Sequence, residues 1–192
     1  MLLIYLLNDV NYWIILYFIA YSWFVLVYAS SRLRNKLFQK TNVFKHALTG
    51  IISIMVFLGL PTLIVLLEKE KPKNLPYYFH LIGLTFVVIA ICIEVVSRWQ
   101  IGPFPGLRKK ETLITGGIYR IVRHPIYLGN SLLIVGLAIF FYSKTALIFS
   151  ILYFISYIPL IILEEKILLD EYKKEYQKYK KNTPYILIPK IL

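Results

Sequence analysis

Residues 126–163 read IYLGNSLLIVGLAIFFYSKTALIFSILYFISYIPLIIL, and Lys144 is the single charged side chain in the run. A helix that crosses a bilayer needs about 20 mostly apolar residues. The run therefore holds two, Ile126 to Tyr142 and Ala146 to Leu163, with Pro159 near the end of the second. Little more than Ser143, Lys144 and Thr145 joins them, and so short a link predicts an antiparallel helical hairpin.

Three more segments upstream have the same character: Tyr12 to Ala29, Ala47 to Leu67 with Pro61 as an expected kink, and Tyr77 to Ser97. The 192-residue chain is 58% apolar and 17% charged, with a mean hydropathy of +0.66. An average soluble domain is roughly 25% charged, and a core of this size cannot hide so much apolar surface. The runs are apolar on every side, without the alternation of a membrane barrel. The expected fold class is an all-α integral membrane protein with five transmembrane helices, followed by a C-terminal amphipathic cytoplasmic helix. It reads as one polytopic domain, with residues 1–75 as a two-span hairpin and 76–192 as the core. Cys92, the lone cysteine, excludes an internal disulfide and a Cys-based metal cluster, and is expected to pack within its apolar run.

The net charge of +12 would suggest nucleic acid in a soluble protein. Here the basic residues sit between apolar runs, where they set orientation and meet anionic head groups, and no nucleic-acid partner is expected. Eighteen of the 22 Lys and Arg residues fall after the first, third and fifth spans. That bias predicts an external N-terminus and a cytoplasmic C-terminus. No Lys or Arg precedes Arg32, so the start lacks the basic region of a cleaved signal peptide.

Cytoplasmic chemistry is then sought in residues 98–125 and 164–192. Glu164 to Lys181 reads as one helix whose Leu168, Leu169, Tyr172, Tyr176 and Tyr179 share a face. Glu94 and Arg98, four apart at the end of the third span, read as an interfacial ion pair. His46 and His80 stand alone on opposite sides of the membrane. A metal site needs several converging ligands, and no metal is expected.

His124 has more telling neighbours. Gly116 and Gly117 allow a tight turn and close backbone approach. Pro125 favours an extended His124 and suits the first turn of a helix. A span opening at Arg123-His124-Pro125 turns its free amides and positive dipole end toward the interface, a place for an anionic group. Glu164 and Glu165 leave the last span, and the hairpin brings them to the same end. A carboxylate there can accept from hydroxyl or ammonium groups. The alternatives are a basic loop anchoring the helix to head groups, and helix-end charge complementing a dipole.

The run Thr112-Leu113-Ile114-Thr115-Gly116-Gly117-Ile118-Tyr119, then Arg123-His124-Pro125-Ile126-Tyr127-Leu128-Gly129, Glu164-Glu165, Tyr176, Tyr179, Thr183-Pro184 and Ile188-Pro189 resembles the isoprenylcysteine carboxyl methyltransferase family. Phospholipid N-methyltransferases share much of the pattern. The resemblance covers about residues 94–190 and implies an S-adenosylmethionine-dependent membrane methyltransferase, with S-adenosylhomocysteine as product and a lipidic or prenylated acceptor entering from the bilayer. It implies cofactor contacts at Glu111, Thr112, Leu113, Ile114, Tyr119, His124, Pro125, Ile126, Tyr127 and Glu165, with Arg123 and Glu164 as catalytic residues. Glu111 and Ile114 correspond by position alone. Two departures stand out. The arginine that eukaryotic prenylcysteine enzymes carry about a turn before the glutamates is replaced by Leu160-Ile161-Ile162-Leu163, leaving Arg98, Arg120 and Arg123 as the nearby cations. The family's Phe-Gly in the tail is Lys173-Lys174. Two other classes stay open: a nicotinamide-dependent membrane reductase, and a non-enzymatic membrane scaffold.

Overall fold

The computed structural model describes residues 12–22, 59, 62–66, 68, 75–101 and 112–190. Among these, every regular element is helical. We number the helices α1 (Tyr12–Ser22), α2 (Tyr78–Ile101), α3 (Pro125–Phe140) and α4 (Lys144–Asn182). A short 3-10 turn, Gly117–Arg120, precedes α3. The expected kink at Pro61, and His46, lie outside the described residues.

Two helices, α2 and α4, are long and apolar enough to cross a membrane. At 16 residues, α3 rises about 24 Å, short of a hydrocarbon core of about 30 Å. The described part of α1 is also shorter than a span. The expectation of five full spans is therefore met in part.

Along α2 only Gly83, Ala90 and Ser97 are buried, at intervals of seven residues. On α3, Gly129 and Gly136 repeat the same interval. Between helices in lipid there is no hydrophobic driving force, so close contact between small residues does the work. A Cβ at Gly136 would come within 2.8 Å of the Val87 amide nitrogen, which shows how near the two backbones run. The opposite side of α2, including Leu81, Val88, Ile91 and Val95, faces outward. Apolar side chains exposed along a whole helix belong against lipid. Cys92, expected to pack, is on this exposed side instead.

The α3–α4 hairpin matches its sequence reading. Phe141 to Ser143 make the link, and Ser143 Oγ accepts the Ala146 amide at 3.0 Å as a helix cap. Glu68 adds a second cap: its carboxylate accepts the Ser143 hydroxyl, the Thr145 amide at 3.2 Å and the Thr145 hydroxyl at 2.8 Å. A negative charge there also complements the α4 dipole. The His80 ring lies 2.7 Å from the Phe140 carbonyl through Nδ1, which joins α2 to the end of α3. The core is rich in tyrosine. Tyr17 of α1 donates to Ser156 Oγ at 2.7 Å, and Tyr157 donates to Tyr153 at 2.7 Å.

The tail departs from expectation. A separate helix was expected to start at Glu164, but α4 runs through that point without a break. The interruption comes at Lys173, with φ 46° and ψ −115°. Over 15 residues a straight helix advances about 22 Å, yet Lys180 Nζ sits 2.7 Å from Glu165 Oε2. The chain therefore turns back at Lys173. That turn separates the expected apolar face: Tyr176 and Tyr179 are buried, while Leu169 stays exposed.

Candidate active site

The loop before α3 is shaped by Gly117, whose φ of 58° is in the left-handed region. A side chain there would also collide with Gln100. Gln100 Oε1 instead accepts the Ile118 amide at 3.2 Å, tying the loop to the end of α2. Tyr119, in the 3-10 turn, is buried. Its hydroxyl donates to the Ser97 carbonyl at 3.4 Å, and its own carbonyl accepts the Tyr179 hydroxyl at 2.6 Å. Leu113, Ile114, Leu168 and Tyr172 pack around the Tyr119, Tyr176 and Tyr179 cluster. The turned-back tail therefore lies on the loop.

Arg123 and His124 bind the tail through their backbones. Their amides donate to the Tyr185 and Ile186 carbonyls, each at 3.0 Å. The Arg123 side chain does the same work. Its Nε donates to Glu165 Oε1 at 2.7 Å, and Nη1 donates to the Thr183 and Pro184 carbonyls at 2.7 and 2.6 Å. An arginine fork suits such a split between a carboxylate and carbonyls. The Arg123 side chain is 5% exposed, so this is a buried ion pair. Sequence reasoning singled out Arg123 but not its carbonyl partners, since backbone oxygens leave no residue-type signal.

Pro125 opens α3 at the first helical position, and His124 precedes it in a non-helical conformation. The His124 ring stacks on Tyr127, which stacks on Tyr157. Tyr127 donates to Glu164 Oε2 at 2.9 Å. The imidazole thus lies between the two glutamates, with Nδ1 3.5 Å from Glu164 and Nε2 3.6 Å from Glu165. These are electrostatic contacts too long to be formed hydrogen bonds. Burial alone would lower the His124 pKa, but the two carboxylates outweigh it and the net shift is upward. For Glu165, burial would raise the pKa, but His124, Lys180 and Arg123 hold it well below the usual carboxylate range.

Three buried side-chain atoms have no hydrogen-bond partner among the described residues: His124 Nε2, the Tyr176 hydroxyl and Glu94 Oε1. Buried polar atoms are nearly always paired, so a ligand is the natural complement. The charge of Glu165 acts on both His124 and Tyr176. Of the sequence-derived residues, Tyr119, Arg123, His124, Pro125, Tyr127, Glu164 and Glu165 are brought to this end of the hairpin. Leu113 and Ile114 support it from the Tyr119 cluster, Ile126 is half-buried in the first turn of α3, Thr112 is exposed, and Glu111 lies outside the described residues. Lys180 was missed. Its pairing with Glu165 depends on the turn at Lys173, which nothing in the lysine-rich tail announces.

A family model described as phospholipid methyltransferase matches residues 78–175. The chain is 31% identical over 101 residues to the cobalt-zinc-cadmium resistance protein CzcN of Cupriavidus metallidurans. It is 32% identical over 101 residues to the nickel-cobalt-cadmium resistance protein NccN of Alcaligenes xylosoxydans xylosoxydans. Each alignment covers 53% of this chain and 47% of the relative, so the chain spans about half the length of the curated relatives it matches. No solved structure matches. The matched region begins with α2, takes in the Arg-His-Pro loop, the hairpin and both glutamates, and ends just beyond the turn at Lys173. The chain belongs to the phospholipid methyltransferase family, membrane methyltransferases that generally use S-adenosylmethionine.

Proposed function

We propose that this protein is an S-adenosylmethionine-dependent methyltransferase of one domain, acting on a lipidic acceptor where the hairpin meets the cytoplasmic interface. The observation that carries the reading is the His124 imidazole held between Glu164 and Glu165, with neither Nε2 nor the buried Tyr176 hydroxyl hydrogen-bonded among the described residues. These groups fit a polar cofactor that bears hydroxyl, ammonium and carboxylate groups. When bound, S-adenosylmethionine supplies an electrophilic methyl on a positively charged sulfur. His124, Tyr176 and Glu165 would hold it, with Tyr119, Pro125, Ile126, Tyr127 and the Glu111–Ile114 segment around them. Glu164, oriented by Tyr127, would line the same site. The protein has to align the acceptor, exclude water and leave the nucleophile poorly solvated. Closure of the tail over the loop serves that end. We assign Arg123 to positioning, because its guanidinium ties Glu165 to the tail.

The resemblance favours carboxyl O-methylation of a prenylated or other lipidic acid. Methylation of an amine-bearing phospholipid is a second reading, and the placement of Arg123 favours it. Residues 160–163 carry no cation, and Arg123 faces Glu165 and the tail carbonyls, where it is a poor receptor for a substrate carboxylate.

Calorimetric titration of the detergent-purified chain with S-adenosylhomocysteine tests the proposal. Saturable binding is expected, weakened at least tenfold by His124→Ala and by Glu165→Ala and unchanged by Lys144→Ala. Binding of NADPH in its place would move the protein to the reductase class. Binding of neither ligand by folded protein would leave the scaffold reading.

A further inference from the structure

Glu94 sits about two turns before the end of α2, inside a helix whose outer face meets lipid. A carboxylate at that depth is costly and calls for a partner. It has one: Arg98 Nε donates to Glu94 Oε2 at 2.6 Å. That bond occupies one oxygen. The other, Oε1, is sealed from solvent and has no hydrogen-bond partner among the described residues. An ion pair that merely capped the helix would leave its second oxygen in water at the interface. Here the pair is asymmetric, with Arg98 35% exposed and Glu94 15% exposed.

The buried oxygen points at the α2–α3 seam. A Cβ built on Gly129 would lie 3.2 Å from Glu94 Oε1 and 3.0 Å from its Cγ. Gly129 is one helical turn beyond Pro125, on the same side of α3. The carboxylate therefore occupies space that any other residue at position 129 would contest, next to the His124 end of the hairpin. Tyr119 lies near the same pair: the pKa of its hydroxyl is raised chiefly by burial, then by Glu164 and Tyr179, with Arg98 lowering it and Glu94 adding the smallest contribution. An ionised carboxylate only accepts hydrogen bonds. It is complementary to a group bearing N–H and repels another carboxylate.

We infer that Glu94 is a specificity-determining residue which receives an N–H of the methyl acceptor through Oε1, while Arg98 anchors Oε2, so that this site selects amines over carboxylates. The inference rests on the methyltransferase reading above and deepens it. Arg98 is a positioning residue in this scheme, fixing the carboxylate rather than touching the acceptor.

The test uses the purified chain in mixed micelles saturated with S-adenosylhomocysteine. It measures binding of dioleoylphosphatidylethanolamine as the amine probe and N-acetyl-S-farnesylcysteine as the carboxylate probe. The wild type should bind the amine probe more tightly. Glu94→Gln should weaken it at least tenfold while changing S-adenosylhomocysteine affinity less than twofold. Glu94→Asp keeps the charge but retracts the oxygen, and should weaken the amine probe several-fold; it carries the test if Glu94→Gln does not fold. Unchanged amine binding in these variants overturns the inference. So does a wild-type preference for the carboxylate probe, binding of neither probe, or equal loss of S-adenosylhomocysteine. Failure of the wild type to bind S-adenosylhomocysteine would remove the underlying reading and this inference with it.

Discussion

The α3–α4 hairpin carries a polar knot at each end, and the two differ in how completely they are satisfied. At the link end, Glu68, Ser143 and Thr145 exchange hydrogen bonds around the start of α4, and His80 reaches the Phe140 carbonyl. Each group there closes a gap in the backbone. At the other end, Arg123 and Glu165 are equally well bonded, but His124 Nε2, the Tyr176 hydroxyl and Glu94 Oε1 have no hydrogen-bond partner among the described residues. A saturated knot stabilises a turn. An unsaturated one, held rigid by saturated neighbours, is how a binding site looks without its ligand, because leaving buried polar groups unpaired is expensive.

Breaking the open knot should have the largest effect. Glu165→Ala leaves the Arg123 guanidinium buried without its counter-charge, a loss of about 3–5 kcal/mol by the usual cost of opening a buried pair. Thermal unfolding in detergent should show a clear drop in melting temperature, together with loss of S-adenosylhomocysteine binding. A small change in both would mean that the tail closes without Glu165.

The open knot should also respond to pH. The folded pKa of His124 is raised, so its charge contributes stability fully below about 6.5, the ordinary histidine value. That contribution is lost as pH rises through the raised folded value. The folded pKa of Glu165 is depressed, so its contribution is present above the ordinary carboxylate range and is lost as pH falls through the depressed folded value. Melting temperatures of wild type and His124→Asn should therefore differ most in mildly acidic solution and converge on the alkaline side. A constant gap across that range would show that the imidazole is not charged between the glutamates.

At the link end, Ser143→Ala removes a cap and should cost about 1 kcal/mol, leaving S-adenosylhomocysteine affinity unchanged. An affinity change would couple the two ends and dissolve the contrast between them. The smallest effect belongs to Lys173→Gly. A φ of 46° with ψ −115° suits glycine and strains lysine, so the variant should gain up to about 1 kcal/mol, read as a slightly higher melting temperature. A loss would mean that the Lys173 side chain contributes more than its backbone costs.

The amino-acid sequence by itself determined the helical class, the hairpin and the meeting of Arg123 and His124 with Glu164 and Glu165 at its open end. Apolar runs long enough for a membrane, a three-residue link and Pro125 at a helix start are local signals, and each acts through geometry within a few residues. Gly117, too, could be read directly, because only a residue without a side chain suits its turn. What only the tertiary structure decided is how distant pieces meet. Glu164 and Glu165 were legible as a pair, but the unbroken course of α4 past them was not. Neither was the reversal at Lys173, where packing of Tyr176 and Tyr179 on Tyr119 overrides local preference. That reversal brings Lys180 to Glu165 and carries the carbonyls of residues 183–186 to Arg123 and His124. Backbone oxygens are the same in every residue, so a sequence cannot mark which of them will hold an arginine.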